Sequence, residues 1–194
     1  MRGNYLFISS FMVFMSKNKK KKRIVDVKWV IEIIIFTFFI SMLFSFASDK
    51  VISNSTVVLS ILVLLFFILL GILFDIIGVA VTASDESPFH AMAAKKIKSA
   101  RLAIDLKKNS SKVASFCNDV IGDICGVVSG SCGVAIALKL SEINHWNLAL
   151  VTLIITAIIS SLTIGGKAIG KGFAIKRATN IHLKVAKVMS FFSK

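Results

Sequence analysis

A chain of 194 residues that is 56% hydrophobic and only 18% charged, with a mean hydropathy of +0.82, has the composition of a membrane protein, since ordinary soluble domains carry about 25% charged residues. The formal charge of +14, from 24 Lys and Arg against 10 Asp and Glu, fits nucleic acid, anionic lipid or membrane topology, and the placement of the charges decides between them. Three cysteines with no C-x-x-C pair exclude a zinc module and a disulfide framework, and a single Pro fits a mostly helical protein.

Residues 1–28 form a basic N-terminal segment. Its apolar stretch, residues 6–15, precedes the run "KNKKKKR", the reverse of the order in a secretory signal. Ten residues, two of them serines, are too few to span a bilayer. The stretch reads as a surface-lying anchor or as translated sequence upstream of a later start.

Three apolar runs have the length a bilayer needs: 29–48, 56–83 and 147–166. A fourth, residues 120–140, carries Asp123 and many small residues, so the expectation is a helix shielded inside a bundle. Glu32 in the first run stands one turn after Lys28 and is expected to pair with it.

The basic residues sort by side. Arg2, Lys17, Lys19, Lys20, Lys21, Lys22, Arg23 and Lys28 precede the first span, and Lys95, Lys96, Lys98, Arg101, Lys107, Lys108 and Lys112 fall between the second and third. Lys167, Lys171, Lys176, Arg177, Lys184, Lys187 and Lys194 follow the fourth, whereas only Lys50 and Lys139 flank the other two loops. This positive-inside pattern puts both termini in the cytoplasm and accounts for the charge without nucleic acid. The N-terminal run exceeds what topology needs and suits an anionic inner leaflet.

The loop 84–112 opens with Ser87 as an expected N-cap and Pro88 at the first helical position. Ile97, Ala100 and Ile104 then recur at helical spacing beside lysines. The C-terminal segment, residues 172–193, repeats the pattern with Ile175, Ala178, Ile181, Val185, Val188 and Phe192. Both read as amphipathic helices along the cytoplasmic face. His90, His145 and His182 have no evident partner in the sequence. The fold class is therefore an all-α integral membrane protein with about four transmembrane helices and cytoplasmic-face amphipathic helices.

Two constellations fall at the third and fourth spans. In "FCNDVIGDICGVVSGSCG", Gly122, Gly126 and Gly130 recur every four residues, the small-xxx-small pattern of close helix packing, within one chain or between two. Asn118, Asp119 and Asp123 place oxygen ligands at one end of a span, a donor set suited to a hard cation such as Mg²⁺. The bland alternative pairs the carboxylates with a lysine, and Lys167 and Asp75 stand at similar depth. The stretch "GGKAIGK" (165–171) has the G-x-x-x-x-G-K spacing of a phosphate-binding loop. It follows a membrane span instead of a strand and lacks the hydroxyl after the Lys, so it reads as the exit of span four, with glycines permitting a break or close packing.

The order of parts resembles the transmembrane domain of the cyclin M and CorB/CorC magnesium transporter family over residues 56–194, with residues 29–55 as an additional leading span and loop. Against the family's Ser-x-Ser-Glu-Thr-Ala-like stretch, "IIGVAVTAS" keeps Ala80 and Thr82 but has Ile77 and Gly78 at the Ser and Glu places. Asn-Asn-Leu-Val-Asn is similar to "NDVIG", keeping Asn118, with Asp119 and Gly122 in place of the other asparagines. Gly-Glu-Ile-Ile-Pro-Lys is similar to "GKAIGK", in which Gly166, Ile169 and Lys171 match, Lys167 replaces the Glu and Gly170 the Pro. The resemblance implies Mg²⁺ as a transported ion, a homodimer, a bacterial plasma membrane and no enzymatic activity. The residues also support a second reading, a transport-inactive structural or regulatory protein in which Lys167 is a tethered cation in the ion's place. The sequence ends at Lys194 without the CBS domains usual in the family, so a separate cytoplasmic regulatory partner is expected.

Overall fold

The structure, a computed structural model, describes residues 27–53 and 55–192. The apolar stretch at 6–15 and the basic run after it lie outside the described residues. Every element described is helical: α1 (Val27–Ser53), α2 (Val57–Ala83), α3 (Ser87–Ala94), α4 (Lys98–Lys108), α5 (Ser110–Ala114), a π-helical stretch (Ser115–Ile121), α6 (Gly122–Asn144), α7 (Leu148–Lys176) and α8 (Ala178–Phe192). Four helical segments are long and apolar enough to cross a membrane: α1, α2, the continuous run Ser110–Asn144, and α7. Backbone groups in lipid must be satisfied within their own segment, which is why these apolar runs form unbroken helices.

The described residues form two compact units, one of 27–75 with 118–170 and the other of 76–117 with 171–192. In the first, α1 packs along α6. Small residues set the close approaches between spans. A Cβ on Gly71 of α2 would stand 3.1 Å from the Cys125 side chain, and one on Gly133 of α6 would collide with Ile159 of α7. Gly166 of α7 is likewise pressed on Ile72 of α2. The third span is the most buried of the four, as its small residues require, and all three cysteines are free and buried.

Three sequence expectations change. Gly165, Gly166, Gly170 and Gly172 do not break the last span: α7 runs through "GGKAIGK" to Lys176 and the chain turns at Arg177. Continuous backbone pairing outweighs the roughly 1 kcal/mol propensity cost of each Gly. Ser87 is the first residue of α3 instead of its cap; Glu86 holds the cap position without a side-chain hydrogen bond, and Pro88 sits in the first turn as expected. The Lys28–Glu32 pair does not form among the described residues, where Glu32 is exposed.

In the second unit, α4 packs on both α3 and α8. Ala100, Ala103, Ile104 and Leu106 of α4 are buried, as are Ala178, His182 and Ala186 of α8. The apolar stripe read on the C-terminal segment meets the packed face only at Ala178: Ile175 at the end of α7 and Val188 of α8 are exposed, while Ala174 at the end of α7 and Ala178, His182 and Ala186 of α8 are buried. Small side chains allow backbones to approach, so they select the contact face over larger apolar neighbours. The chain leaves α3 through Lys96 in the left-handed region, φ 60°, with Lys96 N–H donating to Ala93 O at 2.9 Å and Ile97 N–H to Met92 O at 3.2 Å, which ends the helix much as a C-terminal Gly would.

Candidate functional site

The sequence-predicted ligands fall around the junction of the π-helical stretch with α6. Asn118 lies within the wide turn, where the i→i+5 pattern is uncommon and often accompanies function. Its side chain is half-buried, and its Oδ1 is fully shielded with no hydrogen-bond partner among the described residues. A buried amide oxygen left unpaired costs about 1–3 kcal/mol, so it is a ready ligand for a hard cation or water.

Asp119 and Asp123 do not join it. Both are exposed on the outer side of the helix, about 100° of helical rotation from Asn118 in the case of its neighbour. Among the described residues no group of three or more His, Cys, Asp or Glu is placed to hold a metal. Asp75 of α2 is buried at 3% exposure. Lys167 is half-buried on α7, close enough to Cys125 of α6 to act on it electrostatically, and forms no ion pair with Asp119 or Asp123 among the described residues.

The three glycines also divide. Gly122 is buried, and its carbonyl lies 3.7 Å from the Cβ position of Gly71, whereas Gly126 and Gly130 meet open space. The reason is geometric: each step of four residues turns the helix by about 40°, so Gly130 is about 80° from Gly122. Asp119, Asp123, Gly126, Val127 and Ser131 thus share an exposed stripe of the third span, a polar and small-residue face without cover from the described residues.

A second polar centre, which the sequence reading did not find, lies in the other unit. Lys107 of α4 donates to the carbonyls of Thr82 (2.7 Å) and Val81 (3.4 Å), at the C-terminus of α2. Beside it, His182 is fully buried, with Nδ1 2.7 Å from the Ser84 hydroxyl and its ring edge-on to Phe89 at 4.6 Å between centroids. Nε2 has no hydrogen-bond partner among the described residues, and the Ala103 backbone lies close to the ring. Burial, reinforced by the Lys107 ammonium, pushes the imidazole down to about 4. The imidazole is therefore neutral near pH 7. Ser84 is 3% exposed, so this Ser–His pair is sealed from substrate and serves packing. Its only sequence signal is a His inside a row of alanines spaced by four. The other two histidines are peripheral: His90 pairs with Glu86 at 3.1 Å on the surface, and His145 ends α6 in the left-handed region.

Lys139, read from the sequence as a loop charge, is internal. Its ammonium donates to the carbonyls of Ile52 and Ser55, the latter at 2.8 Å, and to the Ser60 hydroxyl at 3.4 Å.

Residues 61–194 match the family model of the cyclin M transmembrane N-terminal domain, which leaves α1 and the start of α2 outside the match. No curated protein and no solved structure matches the chain. With well over half of its length covered, and with the apolar helices that a transmembrane domain requires, the chain belongs to the cyclin M transmembrane domain family, membrane proteins connected with divalent-cation transport.

Proposed function

We propose that this protein carries Mg²⁺ across the membrane, with Asn118 as an interior oxygen ligand and Asp119 and Asp123 as carboxylates that gather the ion at the same end of the span. The observation that carries this reading is the shielded Asn118 Oδ1, which has no hydrogen-bond partner among the described residues and sits in a π-helical turn of a span. An amide oxygen and carboxylates are hard ligands of the kind Mg²⁺ accepts while keeping several waters. In the same reading the protein is a homodimer. The stripe from Asp119 to Ser131 would be expensive against lipid, and a second copy, with Gly126 and Gly130 at the crossing, would cover it. Both termini are cytoplasmic, and the basic face of α8, with Lys184 and Lys187, rests on anionic headgroups.

Mg²⁺ entry into liposomes containing the purified full chain, followed with a trapped fluorescent indicator, tests the reading. The natural sequence is expected to give protein-dependent uptake, reduced about tenfold or more by Asn118→Leu and several-fold by Asp119→Asn with Asp123→Asn. Uptake indifferent to all three positions would remove the assignment. Uptake gained only by Lys167→Glu would instead favour the second reading, in which Lys167 stands in for the ion.

A further inference from the structure

A lysine near the end of a span ordinarily extends to the headgroups and stays hydrated. Lys139 does the opposite. It sits five residues before the end of α6 and turns its ammonium onto oxygens at the connection from α1 to α2: the Ile52 carbonyl in the last turn of α1, the Ser55 carbonyl, and the hydroxyl of Ser60, a residue with no solvent exposure. The acceptors are braced among themselves. Ser55 Oγ lies 3.0 Å from Ser60 Oγ and donates to Ile52 O at 3.0 Å, and Ser60 Oγ donates to Thr56 O at 3.2 Å.

No carboxylate pairs with Lys139 among the described residues. The charge is met by carbonyl and hydroxyl dipoles, at a helix C-terminus whose last carbonyls have no intrahelical partner and whose dipole favours a cation. One turn back, Ser48 of α1, 2% exposed, faces Cys132 of α6, 1% exposed, within hydrogen-bonding reach. The contact between α1 and α6 is therefore sealed beside the ammonium. Since α1 lies outside the residues that match the family domain, something in this chain has to hold it there.

We propose that the connection between α1 and α2 is a primary-ammonium site filled in cis by Lys139, and that this clasp docks the N-terminal span onto α6. The site selects a primary ammonium because three N–H donors meet three oxygens, an arrangement a methylated amine or a neutral side chain cannot reproduce. The clasp joins the one span outside the family match to the most buried span of the domain. It makes α1 a fixed part of the bundle instead of a loose anchor.

The test uses the full chain with Ser48→Cys, which places a thiol opposite native Cys132 for oxidation to an intrachain disulfide. Crosslinking is counted by mass after denaturation and maleimide labelling, with Cys117 and Cys125 as internal references. With Lys139 in place, oxidation is expected to go nearly to completion. Lys139→Met should slow it at least fivefold. Lys139→Ala should slow it similarly and recover with millimolar n-propylammonium but not with n-propanol or tetramethylammonium. Oxidation in the lysine variants as fast as in the parent overturns the proposal, as does failure of the parent to crosslink. Should Lys139→Met not fold alone, the disulfide formed during expression is expected to restore a monodisperse, parent-like melting profile. A locked Lys139→Met protein that still fails to fold also overturns the clasp.

Discussion

Each of the two units ends a helix with a lysine borrowed from another helix, and the surroundings make the two lysines different devices. Lys139 meets three oxygens and no titratable neighbour in its contacts. Lys107 meets two carbonyls, one of them on exposed Thr82, and acts electrostatically on a buried imidazole. The same capping chemistry yields a static clasp in one unit and a pH-responsive joint in the other. A cation on helix-terminal carbonyls is stabilising in both, but only where a second titratable group is buried beside it does the cap also set a proton affinity.

The pH dependence should separate the units most strongly. His182 is held below its ordinary value, so as pH falls from about 6.5 toward about 4 the unfolded chain takes up a proton that the folded chain refuses. Stability is complete above about 6.5 and is lost through that window, by about 3 kcal/mol at most. The groups facing the imidazole are Ser84 after α2, Phe89 on α3, and Ala103 and Lys107 on α4; Lys107 supplies the only charge among them. Unfolding of the detergent-solubilised protein between pH 4 and 7.5 should show this slope. His182→Gln should flatten it, whereas crosslinking of the Ser48→Cys variant to Cys132, which reads the other unit, should follow thiolate ionisation alone over the same range and be unaltered by His182→Gln. A crosslinking rate that tracks the stability slope would dissolve the distinction between the two lysines.

Methionine in place of each lysine sharpens the contrast at a smaller scale. Lys139→Met removes a charged donor from the Ser55 carbonyl and breaks two further contacts, to the Ile52 carbonyl and the buried Ser60 hydroxyl, which keep other partners; the loss should be about 2–3 kcal/mol. Lys107→Met leaves carbonyls that water reaches at Thr82 and should cost about 1 kcal/mol. The second substitution carries a signature the first lacks. Removing the nearby ammonium relieves one of the two causes holding His182 down, so the stability loss on acidification should still begin near 6.5 but end at a higher pH and be smaller, while burial keeps the folded imidazole below the ordinary value. Chemical denaturation of both variants at two pH values measures cost and shift together.

Much of the fold was legible because a bilayer imposes simple lengths: all four spans stand where apolar runs of about 20 residues were found. Hydropathy did not rank their burial. In α1 none of the central window is buried, while 61% is buried in the third span, the least apolar of the four. Lipid satisfies Leu and Phe, so what packs inside is what lipid serves poorly: Gly133 on Ile159, Cys125 on Gly71, and the Ser129 hydroxyl bonded to the Cys125 carbonyl at 2.7 Å. The site was legible in part. Asn118, Asp119 and Asp123 fall at one junction as their spacing implied, but which of them turns inward depends on the π-helical stretch, whose wider turn no residue pattern announces. Lys139 and His182 were missed for one reason. Their partners, Ser55 and Ser60 for one and Ser84 for the other, lie 79 to 98 positions away in sequence, beyond the reach of any local spacing.

Ser84→Ala gives the smallest expected change and the most specific one. The hydroxyl is 2.7 Å from His182 Nδ1 and 3.0 Å from the Val81 carbonyl, which Lys107 also reaches. Its removal therefore leaves Val81 with a donor and the imidazole with none at Nδ1. The net loss should be about 1 kcal/mol at neutral pH, the scale of one neutral hydrogen bond. It should also be confined to this unit, since Ser84 and the residues around Lys139 belong to different units. Combining Ser84→Ala with Lys107→Met should cost more than the two losses added, because each change alone leaves Val81 a donor and the two together leave it none. Combining it with Lys139→Met should give simple additivity. Coupling of about 0.5 kcal/mol or more between Ser84 and Lys139 would mean that the two lysines belong to one network, and the comparison between static clasp and pH-responsive joint would fail.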